Sequence, residues 1–173
     1  MKTIRAKAFW FLDFLKGGKI KAHYDDITII NQNNNIKNVE LLRENHTNNL
    51  LNHATETTPF YNKFKGVKKI EKFPVINKSV VKENFNDFKS NLYINKKNHR
   101  VATSGSTGVA FFLYQDANKR LRNSADGIYF LNKANYNLGE RLYHFGVYRS
   151  LNMNNPIKIW MQNKVYINII RFD

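Results

Sequence analysis

One stretch near the start of the chain places apolar side chains at helical spacing, at Ile4, Ala8, Phe11 and Leu15. The pair Gly17-Gly18 follows, and glycines commonly end helices. We therefore predict an amphipathic helix that stops at this pair. Such a face usually packs on the rest of its own domain, and the alternative is that it lies on a membrane surface.

A second helix is predicted over residues 38–56, after an asparagine-rich break at residues 31–35. Pro59 is expected to stop this helix, because proline pushes the preceding residue out of the helical region. Before the break, Ile27-Thr28-Ile29-Ile30 has the β-branched composition of a strand. Asp25 and Asp26 precede that run, and adjacent side chains of a strand point to opposite faces. The two acids are therefore not expected to share a metal ion.

The second half of the chain alternates between helical and strand-like runs. Asn77 is positioned to cap a helix over residues 79–88, and Asp116 to cap a helix that runs to about Lys133. Runs of sheet-forming residues predict strands on both sides of a glycine-rich loop, and again at residues 141–147 and 165–170. This alternation is typical of an α/β fold in which helices pack on a mainly parallel sheet.

The most distinctive stretch is that loop, Thr103-Ser104-Gly105-Ser106-Thr107-Gly108. Its two glycines allow positive φ and leave room for another group to approach the backbone. Its hydroxyls donate and accept hydrogen bonds, and successive N–H groups in such a turn form a concave site for an anion, most often phosphate. It is not a Walker A loop, because no Gly-Lys-Ser/Thr follows. The alternative interpretation is an ordinary polar hairpin turn.

Charge and composition narrow the candidate chemistry. Lys and Arg outnumber Asp and Glu by 28 to 13, which gives a formal net charge of +15 and attracts polyphosphate, nucleic acid or anionic lipid. Cysteine is absent, which excludes disulfides, thiol nucleophiles and cysteine-based metal sites. His46 and His53 have no third ligand at a suitable spacing, so no metal-binding residue is predicted.

The loop, with Tyr114-Gln115-Asp116 after its second strand, resembles the phosphate-binding loop of the adenylate-forming (AMP-binding) superfamily. The branch that it resembles most is the group of phenylacetate–CoA ligases and capsular polysaccharide biosynthesis proteins, which includes coenzyme F390 synthetases. The resemblance extends over most of the chain through Thr58-Pro59-Phe60-Tyr61, Phe73-Pro74-Val75-Ile76-Asn77-Lys78 and Glu83-Asn84-Phe85. Val109 and Ala110 are a departure, since many superfamily loops continue with a Pro-Lys pair at these places.

The resemblance implies that residues 1–173 are the N-terminal part of the large domain of such an enzyme. Residues 1–57 would be a helical lead-in, and residues 98–173 a sheet-forming segment that carries the phosphate loop. The family's later motifs, an aromatic-Gly-x-Thr-Glu segment and a ribose-binding Asp, have no match after Gly108. We therefore expect a truncated, inactive cytoplasmic fragment, whose remainder is encoded downstream.

The implied reaction is the activation of a carboxylate substrate by ATP, followed by transfer of the acyl group from the adenylate to a thiol or an amine. ATP and Mg²⁺ are the implied cofactors, and no catalytic residue can be named. The implied nucleotide-phosphate-binding residues are Thr103, Ser104, Gly105, Ser106, Thr107 and Gly108.

The alternative function is a basic, non-enzymatic module that binds an anionic polymer or a membrane surface. Its nine tyrosines and thirteen phenylalanines offer stacking partners for bases. Most of them fall at apolar-periodic positions, where they are expected in the core, so nucleic acid is not the expected partner. Contact with a membrane surface would use residues 1–16.

Overall fold

The computed structural model describes residues 2–32, 35–103, 111–147 and 156–169. These ranges contain six α-helices and four β-strands, so the mixed α/β class is confirmed. The chain divides into two compact units. Unit 1 comprises residues 1–28 and 121–173, and unit 2 comprises residues 29–120.

The first three helices are α1 (Lys2–Leu15), α2 (Lys19–Gln32) and α3 (Ile36–Thr57). Gly17 and Gly18 follow α1 with φ values of 95° and 64°, a left-handed conformation that glycine adopts without steric cost. The predicted end of the first helix is therefore confirmed. After α3, Thr58 is extended at φ −113° and ψ 111°, which confirms that the residue before Pro59 leaves the helix.

The predicted strand at residues 27–30 is wrong, because α2 includes these residues. Ile20, Tyr24 and Ile27 lie three or four residues apart and pack in one apolar cluster. Ile27 is only 3% exposed. The weak strand preference of β-branched residues is outweighed here by the burial of one helical face.

Asp13 links α1 to α2. It is buried, and its two carboxylate oxygens accept hydrogen bonds from the backbone N–H groups of Ile20 (3.2 Å) and Lys21 (2.9 Å). Its carbonyl oxygen accepts from the N–H of Gly18 at 2.8 Å. The side chain thus satisfies two of the N–H groups that the first turn of α2 leaves without a helical partner.

Replacing Asp13 with alanine is expected to lower the free energy of unfolding by about 1–2 kcal/mol, since the cap of α2 is lost. Urea denaturation followed by fluorescence measures this loss. Asp25→Ala is the control, because Asp25 forms an exposed ion pair with Lys21 one turn away. Such a pair contributes less than about 1 kcal/mol. Equal losses in the two variants would contradict the capping role of Asp13.

The later helices are α4 (Lys78–Glu83), α5 (Ala117–Lys133) and α6 (Pro156–Gln162). Both predicted caps are confirmed: Asn77 Oδ1 accepts from Val80 N at 3.0 Å, and Asp116 Oδ1 accepts from Lys119 N at 2.6 Å. The predicted helix over residues 79–88 is shorter than expected. It ends at Glu83, and the side-chain amide of the following Asn84 donates to the carbonyl of Val80 at 3.0 Å.

The strands form two separate pairs. In unit 2, β1 (His99–Ala102) pairs antiparallel with β2 (Phe112–Gln115). In unit 1, β3 (Leu142–Gly146) pairs parallel with β4 (Lys164–Asn168), and α6 lies between them in the sequence. Within the described ranges, parallel pairing is therefore limited to one pair of strands, whereas the sequence predicts a single, mainly parallel sheet.

The buried centre of unit 1 is a cluster of side chains from α2 and α5, namely Ile27, Ala125 and Tyr129. An ion-pair network lies beside it. Arg122 of α5 contacts Asp26 of α2 at 2.6 Å and Asp126 of its own helix at 3.2 Å. The three charged side chains are each about one-third exposed. The network thus fixes α5 against α2 through Asp26 and Arg122.

Candidate functional site: the β1–β2 hairpin

Strands β1 and β2 bring the two ends of the predicted phosphate loop together. Their register pairs Ala102 with Phe112, and the N–H of Thr103 then donates to the carbonyl of Phe111 at 2.8 Å. Thr103 is therefore fixed at the base of the loop. The other predicted phosphate-binding residues, Ser104, Gly105, Ser106, Thr107 and Gly108, lie outside the described residues.

One face of this hairpin carries aromatic rings. Phe112 and Tyr114 alternate along β2 on the same side, with their ring centroids 6.2 Å apart. Phe85 packs on both rings, at 4.9 Å from Phe112 and 6.1 Å from Tyr114. The three rings form a platform next to the end of the hairpin from which the loop leaves.

Two cations lie on this aromatic platform. The guanidinium of Arg100 lies 4.2 Å from the centroid of Phe112, and Lys89 Nζ lies 4.7 Å from that of Phe85. Lys89 also donates to Asn86 Oδ1 at 2.8 Å. Within the part of the chain that the structure describes, neither cation forms an ion pair with a carboxylate. Their charge is therefore not cancelled by a neighbouring acid.

His99 and Arg100 both precede the loop closely enough in the sequence to be candidate phosphate ligands. The structure separates them, since neighbouring residues of a strand point to opposite faces. Arg100 leans toward the loop, over Phe112 of the last strand pair. His99 belongs to the pair farthest from the loop, where its Nε2 accepts from Arg120 Nη1 at 2.5 Å.

The segments Thr58–Tyr61 and Phe73–Lys78, which also carry the family resemblance, are joined by ring contacts. Tyr61 lies 6.0 Å from Phe73 and 5.7 Å from Phe88, and Phe60 stacks on Phe88 at 4.0 Å. Burial raises the pKa of the Tyr61 phenol above its ordinary value, so the phenol stays protonated at neutral pH. Its ring contacts make Tyr61 part of an aromatic cluster with Phe60, Phe73 and Phe88.

A cleft of about 930 Å³ opens beside β2 in unit 2. Among its lining residues, aromatic rings alternate with lysines: Phe85, Tyr93, Tyr114, Lys89, Lys96 and Lys119. Lys96 Nζ lies 4.8 Å from the centroid of Tyr93. This group was not predicted from the sequence, although each ring precedes its lysine by three to five residues and that spacing was a usable signal.

The described residues offer no set of protein ligands for the implied Mg²⁺. Among the described residues, no group of three or more His, Asp or Glu side chains is close enough to hold a metal ion. His53 packs on Tyr93 at 6.0 Å and lies 3.4 Å from the hydroxyl of Thr57. The hydroxyl-rich loop and the two cations suit the phosphates of ATP better than a bare cation.

No family model, curated protein or solved structure matches this chain. The resemblance to the adenylate-forming superfamily therefore stays a prediction, and it depends on the residues of the chain itself.

Proposed function

We propose that the chain binds the phosphates of ATP through residues 103–108, as part of an enzyme that activates a carboxylate. The main support is the position of Arg100. It is held over Phe112, in the strand pair next to the loop, and its charge is not neutralised by a neighbouring acid within the described residues. A ring face stabilises a cation without removing its charge, so this guanidinium remains available to an anion.

Arg100 also compensates for the difference from the superfamily pattern at the end of the loop. Many superfamily loops continue with a Pro-Lys pair, whereas this chain has Val109 and Ala110. The positive charge of that lysine is thus missing from the loop itself. Arg100, whose guanidinium lies over the ring of Phe112 in the last strand pair before the loop, supplies the same charge and adds a planar, two-pronged donor that matches phosphate oxygens.

In the proposed reaction, a carboxylate oxygen attacks the α-phosphorus of ATP, the bond to the β-phosphate oxygen breaks, and pyrophosphate leaves. The product is an acyl adenylate, whose acyl group is then transferred to a thiol or an amine. Catalysis of this kind depends on positioning and on stabilising charge at the phosphates. Bound Mg²⁺ would neutralise part of that phosphate charge. The part of this chain is to hold the departing phosphates with the N–H and hydroxyl groups of the loop.

Replacing Arg100 with glutamine is expected to weaken binding of Mg²⁺-ATP by roughly 10- to 100-fold, because one charge-assisted hydrogen bond contributes roughly 1.5–3 kcal/mol. Isothermal titration calorimetry of the 173-residue chain measures the dissociation constant. Arg120→Gln is the matched control, since Arg120 pairs with His99 at the opposite end of the same hairpin. Equal weakening by both changes would show that only the general positive charge matters.

A second candidate is a module that binds an anionic polymer, favoured by lysines that lie over rings elsewhere in unit 2, such as Lys63 at 5.3 Å from Phe64. Salt distinguishes the two functions. Polymer binding falls steeply with salt because several counterions are released. Binding of one nucleotide in a loop saturates at one equivalent, requires Mg²⁺ and depends less on salt. A steep salt dependence with an oligonucleotide, and no saturable binding of ATP, would favour the polymer.

A further inference from the structure

Helix α1 has an exposed apolar stripe along one side. Ile4, Phe11, Phe14 and Leu15 are 62%, 61%, 73% and 62% exposed. Their positions in the sequence place them on one face of a helix with 3.6 residues per turn. We call these four residues the α1 stripe.

The α1 stripe is not the face by which α1 packs on the rest of unit 1. The opposite face carries Trp10, whose ring lies 5.7 Å from Tyr24, and Arg5, whose guanidinium lies 5.6 Å from the centroid of Trp160 in α6. Asp13 on the same side is buried and caps α2. The expectation that the face with Ile4, Phe11 and Leu15 packs on its own domain is therefore wrong for the described residues. Phe9, Trp10 and Leu12 take that place.

We propose that the α1 stripe docks on an anionic phospholipid surface. The stripe combines large apolar side chains with cations: Lys7 lies within it, and Lys16 follows at its C-terminal end, both exposed. A helix that lies in the membrane interface has this composition, because its rings and aliphatic groups enter the boundary of the acyl chains while its lysines reach the headgroups. The formal net charge of +15 strengthens attraction to anionic lipid.

Two other occupants, a second copy of the chain and nucleic acid, fit the α1 stripe less well. Two copies of the chain would bring Lys7 and Lys16 of each helix together, and each copy carries a formal charge of +15. Nucleic acid would match the charge but would not bury two phenylalanines, a leucine and an isoleucine. A lipid surface satisfies both the charge and the apolar area. Among the described residues, no helix is long and apolar enough to cross a membrane, and α1 itself has 14 residues.

The test is co-sedimentation of the 173-residue chain with vesicles of phosphatidylcholine, with and without phosphatidylglycerol. We expect the protein to sediment with the anionic vesicles and to stay in solution with the neutral ones. The double variant Phe11→Ser, Phe14→Ser should bind at least about tenfold more weakly, because two large apolar groups no longer enter the lipid. Lys7→Glu should weaken binding to the anionic vesicles as well.

Phe130→Ser is the matched control, because Phe130 is 62% exposed on α5 in the same unit. This variant should bind as the wild type does, and circular dichroism of all variants should be alike. The proposal is overturned if anionic vesicles do not bind the wild type, or if the stripe variant and the control lose binding equally. A dimer that dissociates only in the stripe variant, without vesicle binding, would identify a second copy as the occupant and would also overturn it.

Discussion

Replacing Gly105 with valine is expected to weaken binding of Mg²⁺-ATP by at least about tenfold, or roughly 1.4 kcal/mol. A phosphate-binding turn of successive N–H groups needs residues that accept positive φ, and a β-branched side chain is strongly disfavoured there. The side chain would also fill space that the phosphate needs. Gly108→Val should act in the same way, whereas Ser104→Ala removes one hydroxyl and should weaken binding more modestly.

Gly127→Val is the control for this substitution. Gly127 lies in α5, where an added Cβ meets no atom within 4 Å apart from its own stretch of helix, and its φ is not in the left-handed region. The change should leave the dissociation constant for Mg²⁺-ATP unchanged. Calorimetric titration of the wild type, Gly105→Val and Gly127→Val with Mg²⁺-ATP measures the three dissociation constants. If Gly105→Val binds as well as the wild type, the loop is an ordinary polar turn, and the proposed function fails with it.

Features set by neighbours in the sequence were predictable. The caps at Asn77 and Asp116 join a side chain to an N–H group three residues away, so the sequence contains both partners. The end of α3 before Pro59 likewise depends on adjacent residues only. Each of these predictions needs no knowledge of which other element packs nearby.

Features set by distant residues were not predictable. Both sides of α1 carry apolar residues at helical spacing. Which side packs depends on contacts with Tyr24 of α2 and Trp160 of α6, which lie far away in the sequence. Residues 27–30 form part of a helix because Ile27 meets Tyr129 of α5 in the core. Local composition alone favoured the opposite choice in both places.

The candidate site shows the same division. The loop residues and their flanking strands were visible in the sequence, because glycines and hydroxyls are concentrated there. The position of Arg100 over Phe112 required the register of the hairpin, which pairs Arg100 with Tyr114 and places Phe112 closer to the loop. In that register, the side chains of Arg100 and His99 point to opposite faces of the hairpin. Their neighbouring positions in the sequence do not reveal this difference.

Replacing Tyr129 with alanine is expected to destabilise unit 1 by about 3–5 kcal/mol, the usual cost of removing a large buried ring. Tyr129 is 3% exposed, and its ring lies 6.1 Å from that of Tyr24 in the cluster with Ile27 and Ala125. Alanine leaves a cavity that backbone groups of two helices cannot fill. Since domains of this size are stable by only about 5–15 kcal/mol, much of unit 1 should unfold at low urea concentration.

Tryptophan fluorescence makes this measurement specific for unit 1. The chain has two tryptophans, Trp10 and Trp160, and both belong to unit 1. Phe130→Ala is the matched control, because Phe130 is the next residue of α5 and is 62% exposed. The Phe130→Ala variant should lose only about 0.5 kcal/mol of unfolding free energy, as other surface substitutions do. If the two variants shift the urea midpoint equally, α5 does not face α2 through Tyr129, and the core of unit 1 lies elsewhere.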